Sequence, residues 1–193
     1  MRTTLLAFAA SVLLTAPLGA QERVGVDARL GVALPTGAFA EGLAPGARLS
    51  PGASFTAQVI VPRRLRSALL VGFAQHRLRC TGGACAGAGD LVSTSWNLGM
   101  RVRFTPSGTT PWLRLGLVLD RSEADVFAEG SLARQASYLG LGGEVGGGMS
   151  VVLRERVTLT PGVRYLALNT SFPSSGTVRM RYVVADLGVS LGF

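Results

Sequence analysis

The sequence contains no lysine, a single histidine and only two cysteines, and charged residues fill 16% of its 193 positions. Each scarcity removes a class of protein. Two cysteines cannot staple a disulfide-dependent miniature fold, and one histidine leaves little material for a metal centre. The basic residues are all arginine and lie scattered, whereas a phosphate-backbone surface needs them clustered, so no nucleic-acid partner is expected. No apolar run beyond the N-terminus reaches the roughly 17 to 25 residues that a membrane-spanning helix requires. Yet 48% of the residues are hydrophobic and mean hydropathy is +0.38, which excludes a disordered chain. The 26 glycines disfavour helices throughout, so the apolar residues must be distributed on strands.

Residues 1–20 read as a secretory signal peptide. Arg2 supplies the positive start, Leu5 to Leu14 the apolar stretch, and Leu18-Gly19-Ala20 the small-residue end at which cleavage is expected. Residues 21–193 then form one exported domain in an oxidising compartment.

Within that domain apolar residues alternate with small or polar ones at period two. In the last segment Val183, Ala185, Leu187, Val189, Leu191 and Phe193 share one face, opposite Tyr182, Val184, Asp186, Gly188, Ser190 and Gly192. Seven further segments repeat the pattern, beginning near Val24, Ala53, Leu69, Trp96, Leu113, Leu139 and Val157. Short links fall near Pro62 to Arg66, Thr105 to Thr110 and Leu153 to Arg156. Longer ones fall near Pro35 to Ser50, Arg79 to Asp90, Arg121 to Ala136 and Thr170 to Thr177. Eight alternating strands with short turns at one end and long loops at the other predict an all-β, eight-stranded antiparallel up-and-down transmembrane β-barrel.

A soluble barrel of the lipocalin kind is the alternative, with the apolar face inward. Charge and glycine placement favour the membrane form. The small-polar face carries the charges together with most strand glycines, as a narrow lumen filled by side chains requires. Arg77, Arg179 and Arg181 have lipid-facing parity but lie toward the outer end, where the cost of burying charge in lipid fades. On this pattern the chain resembles the small outer-membrane β-barrel superfamily of OmpA- and OmpX-like transmembrane domains. The resemblance covers essentially all of residues 21–193 and implies an outer-membrane location, outer-membrane lipid and lipopolysaccharide as surroundings, and a monomer. Leu187, Val189, Leu191 and Phe193 look like the C-terminal signal by which the barrel-assembly machinery recognises its substrates. Leu191 and Val189 depart from it, standing where many such signals place an aromatic.

Lumen parity gathers Asp27, Arg29, Arg101, Arg103, Arg114, Glu144, Arg164 and Asp186, with Asp120 near the rim. Unpaired buried charge is costly, so these residues are expected to form an ion-paired network that keeps the barrel closed. The termini and short turns are expected on the periplasmic side, and the arginine excess at that end leaves a small anion-favouring pore as the alternative. Cys80 and Cys85 frame Thr81-Gly82-Gly83-Ala84 in an outer loop, where export favours a local disulfide. A zinc site from His76, Cys80 and Cys85 lacks a fourth ligand. His76, read as a polar rim residue, has Ser93 and Ser95 nearby, the minimal ingredients of a lipid-modifying barrel enzyme, but no orienting partner is evident. Gly140 to Gly148 follows strand alternation and precedes no helix, so it is no phosphate loop. No catalytic residue, metal or cofactor is assigned. Arg121, Glu123, Asp125, Glu129 and Arg134 make one outer loop strongly charged. The expected role is non-enzymatic, in envelope integrity or surface interaction through these loops.

Overall fold

The computed structural model describes residues 24–41, 47–63, 66–82, 90–105, 108–128, 131–173 and 176–193. The expected signal peptide, Cys85 and Glu129 lie outside them. In chain order the strands are β1 (Gly25–Pro35), β2 (Ala47–Ser50), β3 (Gly52–Pro62), β4 (Ser67–Gly82) and β5 (Leu91–Arg103). Then follow β6 (Thr110–Ala128), β7 (Ser131–Ala136), β8 (Gly140–Arg154), β9 (Val157–Phe172) and β10 (Gly176–Gly192).

Eight of the ten strands close a barrel in the order β1-β3-β4-β5-β6-β8-β9-β10, every neighbour antiparallel. The first and last strands complete the ring, from Gly25 opposite Gly192 to Pro35 opposite Tyr182. Pairing persists to the last residue, where the Phe193 N–H donates to the Val24 carbonyl at 2.9 Å. Closure leaves no unpaired edge, which is what a sheet in lipid requires.

The remaining strands lengthen the wall outward. β2 continues the line of β3 along β4, with the register slipping by one residue between Ser50 opposite Arg79 and Ser54 opposite His76. Gly52 sits in that slip, where an added Cβ would lie 1.6 Å from the Arg77 carbonyl oxygen. β7 continues β8 along β6 in the same way. The charged stretch Arg121 to Ala136, expected as a loop, is therefore largely a β-hairpin. Likewise β9 and β10 run to within a few residues of each other, so the expected loop from Thr170 to Thr177 shrinks to a turn ending at Gly176, whose φ is +69°. Polar residues there continue the ladder because backbone pairing needs no apolar face.

The outward face is apolar around the whole barrel. Leu30 is 68% exposed, Leu115 66% and Leu117 60%, values that place the hydrocarbon side of the wall outside. A soluble binder would bury these residues, so the lipocalin alternative fails on orientation. Inside, the half of the barrel nearer the termini is polar. Part of the outer half departs from the expected small-polar lumen: Leu78, Leu91, Val118, Leu168, Met180 and Val184 are buried there in one apolar cluster. A short 3₁₀ turn (Gly37–Glu41) after β1 adds Phe39, 6.3 Å from the Tyr182 ring.

Candidate functional site

The lumen charges meet in a closed circuit. Arg29 of β1 donates to Asp186 of β10 from Nε at 2.9 Å and from NH2 at 2.5 Å. The other Asp186 oxygen accepts from Arg164 Nε of β9 at 2.8 Å. Arg164 reaches Glu144 of β8 at 3.4 Å, and Glu144 accepts from Arg114 Nε of β6 at 2.6 Å. Arg114 NH1 crosses the lumen to the Gln58 Oε1 of β3 at 2.6 Å, and Gln58 Nε2 donates to Asp27 at 3.2 Å. Asp27 accepts in turn from Arg29 at 3.3 Å, which returns the circuit to its start.

Charges alternate in sign around this ring, so each carboxylate lies between donors and the desolvation cost of each ion is offset by charge-assisted hydrogen bonds. Two hydroxyls complete it. Thr56 accepts from Arg164 NH2 at 2.9 Å, and Thr160 receives Arg29 on both its hydroxyl, at 3.1 Å, and its carbonyl, at 2.8 Å. Beneath the ring Trp112 is buried, with the Arg29 guanidinium 5.3 Å from its ring centroid. Glycines make the space: an added Cβ on Gly162 would stand 2.4 Å from Trp112 Cζ2, and one on Gly148 2.7 Å from the same atom.

Six of the expected charges, namely Asp27, Arg29, Arg114, Glu144, Arg164 and Asp186, are thus joined. Arg101 hangs from the ring by a 3.5 Å contact to Asp27. Arg103 does not belong to it. The side chain is exposed at the periplasmic mouth, because it is the last residue of β5 and the wall ends there. Gln58, Thr56 and Thr160 were not anticipated. Their lumen parity was legible, but neutral side chains give no charge signal to single them out.

A second polar layer lies farther out. Ser54 Oγ is 2.9 Å from His76 Nδ1, and the His76 ring packs edge-on against Tyr182 at 5.1 Å. Ser93 and Ser122 donate to the two Asp120 oxygens at 2.5 and 2.8 Å. His76 and Asp120, expected at the rim, are fully buried, since β4 and β6 run well past them. Ser93 spends its proton on Asp120, and His76 contacts Ser54, so no serine–histidine–carboxylate relay is assembled among the described residues.

Cys80 is disulfide-bonded at the outer end of β4. In the outward hairpin Arg134 donates to Glu123 at 2.6 Å, and Arg77 pairs with Asp90. Leu187, Val189 and Leu191 face lipid along β10, and Phe193 is exposed at its end.

No family model matches the chain, and no curated protein matches it. Solved structures do. Neisserial surface protein A superposes with a TM-score of 0.64 at 19% identity, covering 88% of this chain and 97% of its own. The N-terminal β-barrel domain of Pseudomonas aeruginosa OprF gives 0.53 at 14% identity, covering 91% and 100%. The outer membrane protein AlkL, solved in lipid bilayers, gives 0.51 at 14% identity, covering 92% and 94%. The chain therefore has the closed, antiparallel β-barrel fold of these small outer-membrane proteins.

Proposed function

We propose that the protein is a monomeric, non-conducting integral barrel of the outer membrane, without enzymatic activity, that serves envelope integrity or surface interaction through its outward extensions. The observation that carries this reading is the ring of Asp27, Arg29, Asp186, Arg164, Glu144, Arg114 and Gln58, which spans the lumen from wall to wall. The apolar cluster farther out obstructs the same path a second time. An ion would have to break paired, desolvated charges and then enter hydrocarbon, which weighs against the pore alternative. The buried Ser54–His76 pair weighs against lipid-modifying chemistry, because His76 Nε2 has no partner among the described residues to orient it and neither residue reaches a surface.

Surface contact has its own support. Arg179 and Arg181 are exposed on the outward side of β10 near its outer end, where lipopolysaccharide phosphates would meet guanidinium groups. The test is electrical. Protein refolded into planar bilayers is expected to give no conductance steps, while a strain lacking it becomes more sensitive to detergent. Steady unit conductance that scales with the protein added would overturn the non-conducting reading.

A further inference from the structure

The periplasmic mouth holds a vestibule of about 370 Å³. Among the described residues five arginines line it, Arg63, Arg66, Arg101, Arg103 and Arg156, against one carboxylate side chain, Glu155. Such an excess draws anions toward the mouth. Two buried polar groups on its wall have no partner among the described residues. Arg101 is 8% exposed with Nε unbonded, and its only carboxylate contact is the long one to Asp27. Ser190, 9% exposed on β10, has an unbonded Oγ and lines the same cavity. Native proteins seldom leave such groups unsatisfied, so both point to something that accepts hydrogen bonds here.

The rim is built rather than incidental. Arg66 holds the left-handed backbone region at φ +66°, which glycine ordinarily occupies, and its NH1 donates to the Phe104 carbonyl at 2.5 Å. That bond ties the β3–β4 turn to the β5–β6 turn across one side of the opening. Phe104 itself is 52% exposed at the lower edge of the apolar belt, the position of interfacial aromatics. The vestibule therefore opens at the depth of the inner-leaflet headgroups.

We propose that this vestibule is a binding site for a phosphate group, carried by an inner-leaflet phospholipid or by a soluble periplasmic anion. Arginine forks match phosphate oxygens in pairs, and Arg101 and Ser190 line the floor beside them. Binding at this mouth requires no conduction through the lumen.

The protein is refolded in phosphatidylcholine vesicles alone, or in phosphatidylcholine mixed with a minority of phosphatidylglycerol. Inorganic phosphate is titrated into the first by calorimetry, and native mass spectrometry counts retained phosphatidylglycerol in the second. Saturable one-to-one phosphate binding assigns the soluble source, and selective retention of one phosphatidylglycerol assigns the lipid. Either signal should weaken about tenfold in Arg103→Gln, the loss of one charge-assisted hydrogen bond. Arg103 is exposed and outside the ring, so this variant keeps its fold, as its heat-dependent gel mobility checks. Ser190→Ala should weaken binding without changing net charge, which separates a built site from diffuse attraction. Absence of both signals, or variants that bind like wild type, overturns the proposal.

Discussion

Replacing Arg29 by Met probes the lumen ring at its most connected point. The guanidinium bonds Asp186, Thr160 and Asp27 and packs over Trp112, and it is almost wholly buried. Methionine keeps much of the apolar stem and removes the charge. Asp186 would retain Arg164, but Asp27 would be left with Gln58 at 3.2 Å and the 3.5 Å contact to Arg101. Breaking one partner of a buried ion pair costs about 3–5 kcal/mol, which is roughly two to three and a half powers of ten in the folding equilibrium. Urea unfolding in zwitterionic vesicles, followed by tryptophan fluorescence and by the heat-dependent gel shift, measures it. The midpoint should fall while the slope stays constant. Asp186→Leu in the same background should cost about 1–3 kcal/mol less than the two single losses added together. An Arg29→Met variant within about 1 kcal/mol of wild type, or strict additivity in the pair, would refute the view that the ring holds the barrel shut.

Two further outcomes are expected. Gly162→Ala places a methyl 2.4 Å from Trp112 Cζ2, so it should lose about 1–3 kcal/mol through overpacking; adding Trp112→Leu should restore part of that loss, and a neutral Gly162→Ala would show that the indole moves freely. Deleting Phe193, whose N–H bonds Val24 at the closing seam, should lower the amount of folded barrel at the cell surface more than trimming the tip of the β6–β7 hairpin does. Equal surface levels in flow cytometry would remove the assembly role of the C-terminal strand.

The sequence was most legible where one face was apolar and the other was not. Leu113, Leu115, Leu117 and Leu119 against Arg114 and Gly116 specify both a strand and its orientation, because side chains alternate faces along any extended chain. It was least legible where both faces are apolar. Tyr165 to Leu168 and Tyr182 to Val184 lose the period-two contrast, so the apolar part of the lumen is hidden in what resembles ordinary strand. Strand ends are obscure for the opposite reason: Arg121 to Ala136 is polar enough for a loop, yet it pairs as a hairpin.

Local pattern by itself determined the barrel, the lipid-facing side and the inward placement of the charged residues, since each depends only on a residue's neighbours along the chain. Which charge meets which was decided by the tertiary structure. Asp27 and Asp186 are far apart in sequence and share Arg29 only because β1 closes on β10 in one register. The depth at which His76 and Asp120 lie, and the exclusion of Arg103 from the ring, follow from how far each strand extends beyond its partner. Closure sets those offsets for all strands at once, and no single stretch of sequence contains them.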